Sequence, residues 1–260
     1  MIAVNEQDEF IELVDNNPLF ISSVKVRGIP IRYYTLNKRL QDISRKMEIL
    51  EPDLLDWIDH IEPDAVLYDI GASNGPFTMY AALKDLQLVA FEPEAQNYAI
   101  LEMNHYLNRS LIKHSVISLN MALSNATGLG KMFCRNYIAG THVKILDQPF
   151  RRLERDTFDP AHVQFVIKET LDAVIEKFSL PAPKYIKIDV DGVELELLQG
   201  ATQTLQSEGL KEIFIEIAHP ETDGKEIKEI IEQSGFREQS RRQVEHYEHL
   251  YNLVYTRKQD

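Results

Sequence analysis

The stretch Val66-Leu67-Tyr68-Asp69-Ile70-Gly71-Ala72-Ser73-Asn74-Gly75-Pro76-Phe77 runs from an apolar strand through an acidic residue and a glycine-bearing turn into the start of a helix. Gly71 and Gly75 let the backbone turn tightly and approach a ligand with no Cβ in the way, and Pro76 suits the first turn of a helix, where its missing N–H costs little. The spacing is Gly-x-x-x-Gly, which departs from the Gly-x-Gly-x-x-Gly loop that seats a pyrophosphate on a helix amino terminus. Asp69 argues further against a diphosphate and for a ligand carrying an ammonium group, because a carboxylate aimed at the turn attracts cations. Taken alone, the same residues also fit a plain βα connection.

Working outward, Leu88-Val89-Ala90-Phe91-Glu92-Pro93 places Glu92 at the carboxyl end of a second strand, where an acidic side chain in Rossmann-like sheets accepts hydrogen bonds from ribose hydroxyls. Glycine turn and Glu92 together describe a nucleoside-binding arrangement. Short aliphatic runs continue to alternate with helical patterns, the signature of a mostly parallel sheet covered by helices on both faces. The expected strands are Ala65 to Ile70, Leu88 to Phe91, Val116 to Leu119, Tyr185 to Val190 and Glu212 to Ile217. Val193, Leu197, Ala201 and Leu205 recur at helical spacing before Gly209, and Ile227, Ile230 and Ile231 precede Gly235. Two strand-like pieces between Phe236 and Arg257, the second Leu250 to Tyr255, are close enough to form an antiparallel pair.

Residues 1–62 read as an amino-terminal extension packed on this core: a short helix from Glu6 to Val14, a hairpin and a second helix from Glu51 to His60. In the hairpin, Val24, Val26, Ile29, Ile31 and Tyr33 flank a turn at Arg27-Gly28, and Pro30 consigns its strand to an edge because it cannot donate to a ladder. Residues 63–260 form the main domain. Within it, Lys131 to Glu169 reads as a long irregular insertion carrying His142, Arg151, Arg152 and Arg155, either a lid or acceptor-binding loop or a solvated charged loop.

Tyr185-Ile186-Lys187-Ile188-Asp189-Val190-Asp191-Gly192-Val193-Glu194 sets Asp189 and Asp191 at the carboxyl edge of the sheet, where open α/β folds bind ligands. Asp191 also fits the amino-terminal cap of the following helix. A carboxylate ending a central strand, as Asp189 does, is costly to bury unless something uses it.

The turn Asp69-Ile-Gly-Ala-Ser-Asn-Gly75, the segment Ile186 to Glu194, Leu198-Gln-Gly-Ala201 and Ile215-Glu216, with Thr170-Leu171-Asp172 and Phe91-Glu92-Pro93 plus Asn97, resemble the FkbM-type family of S-adenosylmethionine-dependent methyltransferases. The resemblance spans about Asp64 to Ala218 and implies a Rossmann-like class I methyltransferase with a seven-stranded, mostly parallel sheet. An antiparallel last strand suits that class better than a dehydrogenase. It also implies Asp69, Gly71, Ser73, Asn74 and Gly75 beside the methionine part of the donor, Glu92 on the ribose, and Ala122 of Asn120-Met121-Ala122-Leu123-Ser124 near the adenine. Ser73 stands where the family usually has Asn. The extension and the insertion lie outside the pattern, so the acceptor does not follow from it.

Methyl transfer by in-line attack of an acceptor oxygen needs donor and nucleophile held in alignment, an effect worth up to about 7–11 kcal/mol. A hydroxyl acceptor must also lose its proton, and Asp189, Asp191 or His219 are candidate bases; His219 follows Glu216 at the end of the fifth strand. Asp189 and Glu216 on adjacent strand ends also suggest a possible shared magnesium ion, although no metal is assigned. A nicotinamide-dependent oxidoreductase is the rival enzyme, with the wrong glycine spacing, and a non-catalytic nucleoside-binding protein is the rival outside catalysis.

The 260 residues are 44% hydrophobic and 27% charged, an ordinary globular make-up. With 28 Lys plus Arg against 41 Asp plus Glu, the net charge of -13 disfavours nucleic acid and anionic membranes, leaving a small-molecule or glycan-type acceptor as the expected partner. Cys134 has no second cysteine to pair with and no activating motif, so packing is its expected role. The amino terminus lacks a secretory pattern and no apolar run approaches the ~20 residues of a membrane span, which points to the cytoplasm.

Overall fold

The alternation of strands and helices builds three layers, helices on either side of one large sheet, in the computed structural model, which describes residues 2–3, 9–14, 17–222 and 224–258. The chain opens with β1 (Ile2–Ala3), β2 (Glu9–Val14), β3 (Asn17–Val26) and β4 (Ile29–Tyr34), a meander paired in that order. Arg27 at φ 47 and Gly28 at φ 85 supply the two positive angles of a tight turn whose twist matches its flanking strands. The hairpin is therefore as expected, and Pro30 lies on β4, an edge strand of this sheet. The helix expected from Glu6 to Val14 is corrected: Glu9–Val14 is strand β2, paired along its length with β3, while Glu6 to Asp8 lie outside the described residues. So short an apolar pattern does not separate the two periods, and the pairing partner decides.

Helix α1 (Lys38–Leu50), unforeseen from the sequence, starts on Asn37, whose side chain accepts the Leu40 N–H at 3.0 Å. Helix α2 (Pro52–His60) docks through Trp57, whose ring lies 5.4 Å from Phe214 and 6.1 Å from Tyr185 and whose Nε1 donates to Glu212 at 2.8 Å.

The core then runs β5 (Val66–Ile70), α3 (Pro76–Leu83), β6 (Gln87–Phe91), α4 (Ala95–Asn108) and β7 (Val116–Leu119). A small sheet follows, made of β8 (Ala122–Leu123), β9 (Gly128–Cys134) and β10 (Lys144–Leu146), with the two-residue pair β11 (Phe150–Arg151) and β12 (Asp156–Thr157) leading into β13 (His162–Glu169). The chain finishes with α5 (Leu171–Phe178), β14 (Tyr185–Ile188), α6 (Glu194–Gln199), α7 (Thr202–Gln206), β15 (Glu212–Ala218), α8 (Lys225–Gln233), β16 (Phe236–Gln243) and β17 (Leu250–Arg257).

The large sheet has seven strands in the order β7-β6-β5-β14-β15-β17-β16. β17 alone runs against its neighbours, antiparallel to both β15 and β16. Period-two alternation divides each central strand between two cores. Leu67, Leu88, Ala90, Tyr185 and Phe214 pack against α2, α3 and α4, while Tyr68, Ile70, Val89, Phe91, Ile186, Ile188 and Ile215 pack against α5 to α8. With both faces covered, these strands read as continuous apolar runs.

Two further expectations are corrected. The stretch from Lys131 to Glu169 is not irregular throughout: the end of β9, β10 and β13 fold into the sheet β10-β9-β13-β8, whose core is Ala122, Met132, Cys134, Leu146 and Val166. The helix expected to run from Val193 to Leu205 is two helices, broken at Gly200. A Cβ on Gly200 would lie 2.1 Å from the Ser124 carbonyl oxygen, and the Gly200 carbonyl accepts the Asp172 N–H at 3.2 Å. Asp172 then caps the second piece, accepting from Gln203 N at 2.8 Å and Thr204 N at 2.9 Å.

The extension is fastened to the core by asparagines one helical turn apart on α4. Asn104 Oδ1 accepts the Tyr34 N–H at 2.7 Å, and Asn108 accepts the Arg32 N–H at 3.0 Å and donates to the Arg32 carbonyl at 2.7 Å. Side-chain amides thus take the place of a further strand along β4 and satisfy its edge.

Candidate functional site

The glycine turn is closed upon itself and upon its neighbours. Gly71 and Ala72 donate to the Phe91 carbonyl at 3.0 Å each, Gly75 donates to Ala72 at 2.9 Å, and Ser73 N–H donates to Glu92 Oε2 at 2.8 Å. The other Glu92 oxygen accepts the Glu94 N–H at 2.8 Å. Glu92 therefore ties the turn after β5 to the end of β6, and burial pushes its carboxyl up to about 7. Asn74 is buried; its Oδ1 accepts from the Ser73 hydroxyl and its carbonyl accepts from Asn104 at 2.8 Å, the residue that also holds β4.

The glycines are also packed against neighbouring elements of the protein. Gly71 sits at φ 79 and a Cβ there would lie 1.9 Å from the Asp189 carbonyl oxygen; on Gly75, at φ 76, it would lie 2.3 Å from Leu101 Cδ1. Contact with β14 and α4 excludes a side chain at both positions.

Asp69 and Lys187 are register partners on β5 and β14, and alternation turns both toward the α2–α3 face. The Lys187 ammonium lies 3.0 Å from Asp69 Oδ1 and 3.3 Å from Asp189 Oδ2, and it donates to the Gly71 carbonyl at 2.8 Å. Asp69 Oδ2 accepts from the Thr78 hydroxyl at 2.5 Å. Burial disfavours the charge on Lys187, but the two carboxylates outweigh it and hold the ammonium above its ordinary value.

Above Lys187 lies a rim of carboxylates. Asp189, 44% exposed at its side chain, opens to solvent. Asp191 accepts the Lys144 N–H at 2.9 Å, and burial raises its carboxyl above the ordinary range. Glu194 accepts the Gly192 N–H at 2.9 Å and burial lifts it to about 8. Glu216 rises well above its usual value through burial and the charge of Asp189. Glu51, at the junction of α1 and α2, is raised to about 7 by burial and by Asp189. Nothing along the chain singles out Glu51, because only the docking of the extension brings it here. Lys187 did carry a signal, a lysine inside an otherwise apolar central strand.

The small sheet roofs this rim. Gly140 donates to Asn97 Oδ1 at 2.8 Å and the buried Lys144 ammonium meets Glu94 at 2.7 Å, at the β6 end, while Lys144 N–H reaches Asp191 at the β14 end. Arg152 donates through Nε to the Gly192 carbonyl and pairs with Glu196 at 3.2 Å. Ala122 is buried in the core of this roof, with Met132 and Cys134. Cys134 is fully buried there and its thiol is pushed up to about 11 by burial, as its expected packing role requires.

His219 stands apart from Asp189 and Asp191, in the loop after β15. Its Nε2 lies 2.8 Å from the Leu153 carbonyl, which only accepts, so Nε2 is the donor of that contact. Its ring stacks on His249 at 4.8 Å. Among the described residues no group of three or more His, Cys, Asp or Glu is arranged to hold a metal ion. Nor is any helix among them long and apolar enough to cross a membrane.

Residues 69–238 match the Methyltransferase FkbM domain. Methyltransferase sdnD of Sordaria araneosa is 24% identical over 268 residues, covering 95% of this chain and 99% of its own. Hexuronic acid methyltransferase AglP of Haloferax volcanii is 27% identical over 198 residues, covering 75% and 72%. Methyltransferase FkbM from Methylobacillus flagellatus shares the fold at a TM-score of 0.51 and 14% identity over 85% of this chain; the chain spans 55% of that structure's length. Magnesium protoporphyrin IX methyltransferase from Synechocystis, solved with bound S-adenosylmethionine, shares it at a TM-score of 0.50 and 10% identity, with 86% of each chain covered.

Proposed function

The chain belongs to the FkbM methyltransferase family, and from that premise we propose that it carries a methyl group from S-adenosylmethionine to an oxygen of a small-molecule or glycan-type acceptor. One observation carries the choice of donor: Glu92, at the end of β6, is hydrogen-bonded at 2.8 Å to Ser73 of the glycine turn. A ribose acceptor and the turn after β5 therefore form one continuous wall. Each Glu92 oxygen accepts one backbone N–H and keeps lone-pair capacity for a hydroxyl.

The donor set suits the ligand. S-adenosylmethionine presents a sulfonium and an ammonium, and supplies an electrophilic methyl group when bound. The rim of Asp189, Asp191, Glu194, Glu216 and Glu51 favours cations, and the Lys187 ammonium beneath it is already engaged by Asp69 and Asp189. The turn's Gly71, Ala72, Ser73 and Gly75 N–H groups are satisfied within the protein, which argues against a diphosphate and so against a nicotinamide dinucleotide.

Asp189, open to solvent at the rim with the Lys187 ammonium 3.3 Å from its Oδ2, is the favoured proton acceptor for an incoming hydroxyl. Asp191 is the weaker candidate because its Oδ2 already accepts from Lys144 N–H. His219 is the third candidate, with Nε2 engaged by the Leu153 carbonyl. AglP is named for hexuronic acid, which supports a sugar-type acceptor here. Calorimetry with S-adenosylmethionine, S-adenosylhomocysteine and NAD tests the reading. The first two should bind at one site per chain and NAD should give no heat; NAD binding in their place would sink it.

A further inference from the structure

The roof has an outer face that the site does not use. Period-two alternation along β13 buries Val166 in the small core and turns Val163, Phe165 and Ile167 outward, where they meet Phe133, Lys131 and Leu129 of β9 as register partners. Leu129 is 69% exposed, Phe165 61% and Ile167 58%, so the row faces solvent. With Val163 it offers roughly 400 Å² of apolar surface, within the size at which a patch on a monomer marks an interaction site.

The same strand leaves an edge open. In β9, Lys131 N–H donates to Asp147 Oδ1 at 3.1 Å, its carbonyl accepts the Asp147 N–H at 2.6 Å, and Arg135 N–H reaches the Val143 carbonyl at 3.1 Å. Alternate residues of β9 thus bond on the β10 side, which leaves Gly130, Met132 and Cys134 to bond to β13 through Val166, Gln164 and His162. The N–H and C=O groups of Val163 and Phe165 therefore point away from β9. On that side β8 pairs only with Lys168 and Glu169, and among the described residues Val163 and Phe165 have no backbone partner there. An apolar strand with an unpaired edge is a template for another strand.

We infer that a second copy of this chain adds to that edge, antiparallel about a two-fold axis through Gln164, and joins the two small sheets into one. In this register Val163 stands opposite Phe165 of the other copy and Phe165 opposite its Val163. Each pair exchanges both backbone bonds and lays an aliphatic side chain against an aromatic one. The strand is thus complementary to itself. Charge points the same way, because chains of net charge -13 repel wherever acids meet. The six outward positions of β9 and β13 named above carry no acid, and their single charge, Lys131, lies 6.0 Å from the Phe165 ring centroid. Glu169, next along the row, is buried and engaged by Thr127 and by Lys177 at 3.2 Å. Two such faces supply roughly 800 Å² of apolar surface, about half of a standard interface, and the joined ladder and its polar rim make up the rest. The inference is independent of the methyl-transfer reading.

The test is sedimentation velocity of the full chain over about 1–100 µM, at low and high salt, with hydrogen exchange on the same samples. A dimer should form in the micromolar range and tighten as salt screens the acidic charge. The amides of Val163 and Phe165 should become protected as concentration rises, while those of Gln164 and Val166, bonded to β9, stay unchanged. Phe165→Asp should weaken association about a hundredfold with native circular dichroism, and Val163→Lys should repeat that loss. A monomer throughout the range, a dimer indifferent to both substitutions, or a dimer without new protection at Val163 and Phe165 overturns the proposal. A chain that stays monomeric and instead floats with phosphatidylcholine vesicles overturns it too, and assigns the face to a lipid surface.

Discussion

Lys187 stands directly opposite Asp69 in the parallel ladder of the two central strands, its ammonium 3.0 Å from the carboxylate, with both residues 3% exposed. The pair sits under the whole candidate site, since Lys187 also reaches the Gly71 carbonyl and Asp189. Removing one member leaves the other charge buried without compensation. Lys187→Met should therefore cost about 3–5 kcal/mol of folding stability, read by urea denaturation. A loss below about 1 kcal/mol would mean that the pair is not what holds the turn to β14.

The glycines separate two kinds of requirement. Gly28 needs only its positive φ of 85, with nothing within 4 Å of an added Cβ, whereas Gly71 combines a φ of 79 with the Asp189 carbonyl 1.9 Å away. Gly28→Ala should cost about 1–2 kcal/mol and Gly71→Ala more than about 4 kcal/mol, measured by the same denaturation. Equal costs would contradict the packing role given to Gly71.

The raised carboxyls make a statement about pH. Glu51 near 7 and Glu194 near 8 bind protons in the folded chain at pH values where the unfolded chain has released them. Stability contributed by such groups is fully present below their ordinary range and is lost as pH rises through 7 and 8. The ligand-free protein should thus melt at a lower temperature at pH 8.5 than at pH 6, with Glu51→Gln flattening the dependence. A cationic donor has the opposite preference, so S-adenosylmethionine should bind more tightly as pH rises over the same window and release protons on binding, which calorimetry in buffers of differing ionisation enthalpy detects. Affinity that falls with rising pH would contradict the cation-attracting rim.

Glu92 needs both of its oxygens as acceptors, one for Ser73 N–H and one for Glu94 N–H. Glutamine offers one. Glu92→Gln should weaken S-adenosylhomocysteine binding by about ten- to a hundredfold, with the circular dichroism of the native fold retained. Unchanged affinity in a folded variant would remove Glu92 from the nucleoside site.

The central strands could be read from the sequence because both faces of each are buried, so that Val66 to Ile70 or Tyr185 to Ile188 appears as an apolar run broken only by Asp69 or Lys187. The small sheet could not. β13 reads His-Val-Gln-Phe-Val-Ile-Lys-Glu, with Phe165 and Ile167 exposed on one face and Val166 buried on the other, so its charges and surface aromatics resemble a loop. β2 reads as a helix because its partner β3 decides its state, and the break at Gly200 depends on a contact with Ser124, far away in sequence. The glycine turn, Glu92 and Asp189 were legible as site candidates from their positions at strand ends. Their partners Glu51, Thr78 and Lys144 were not, because distance along the chain says nothing about which side chains a docked helix or a folded roof will deliver.

The most direct test is a crystal structure of the full chain with S-adenosylhomocysteine. The account predicts ribose hydroxyls within hydrogen-bond distance of Glu92 and the sulfur facing the rim at Asp189. A nucleoside bound elsewhere, with Glu92 contacting only Ser73 and Glu94, would contradict it.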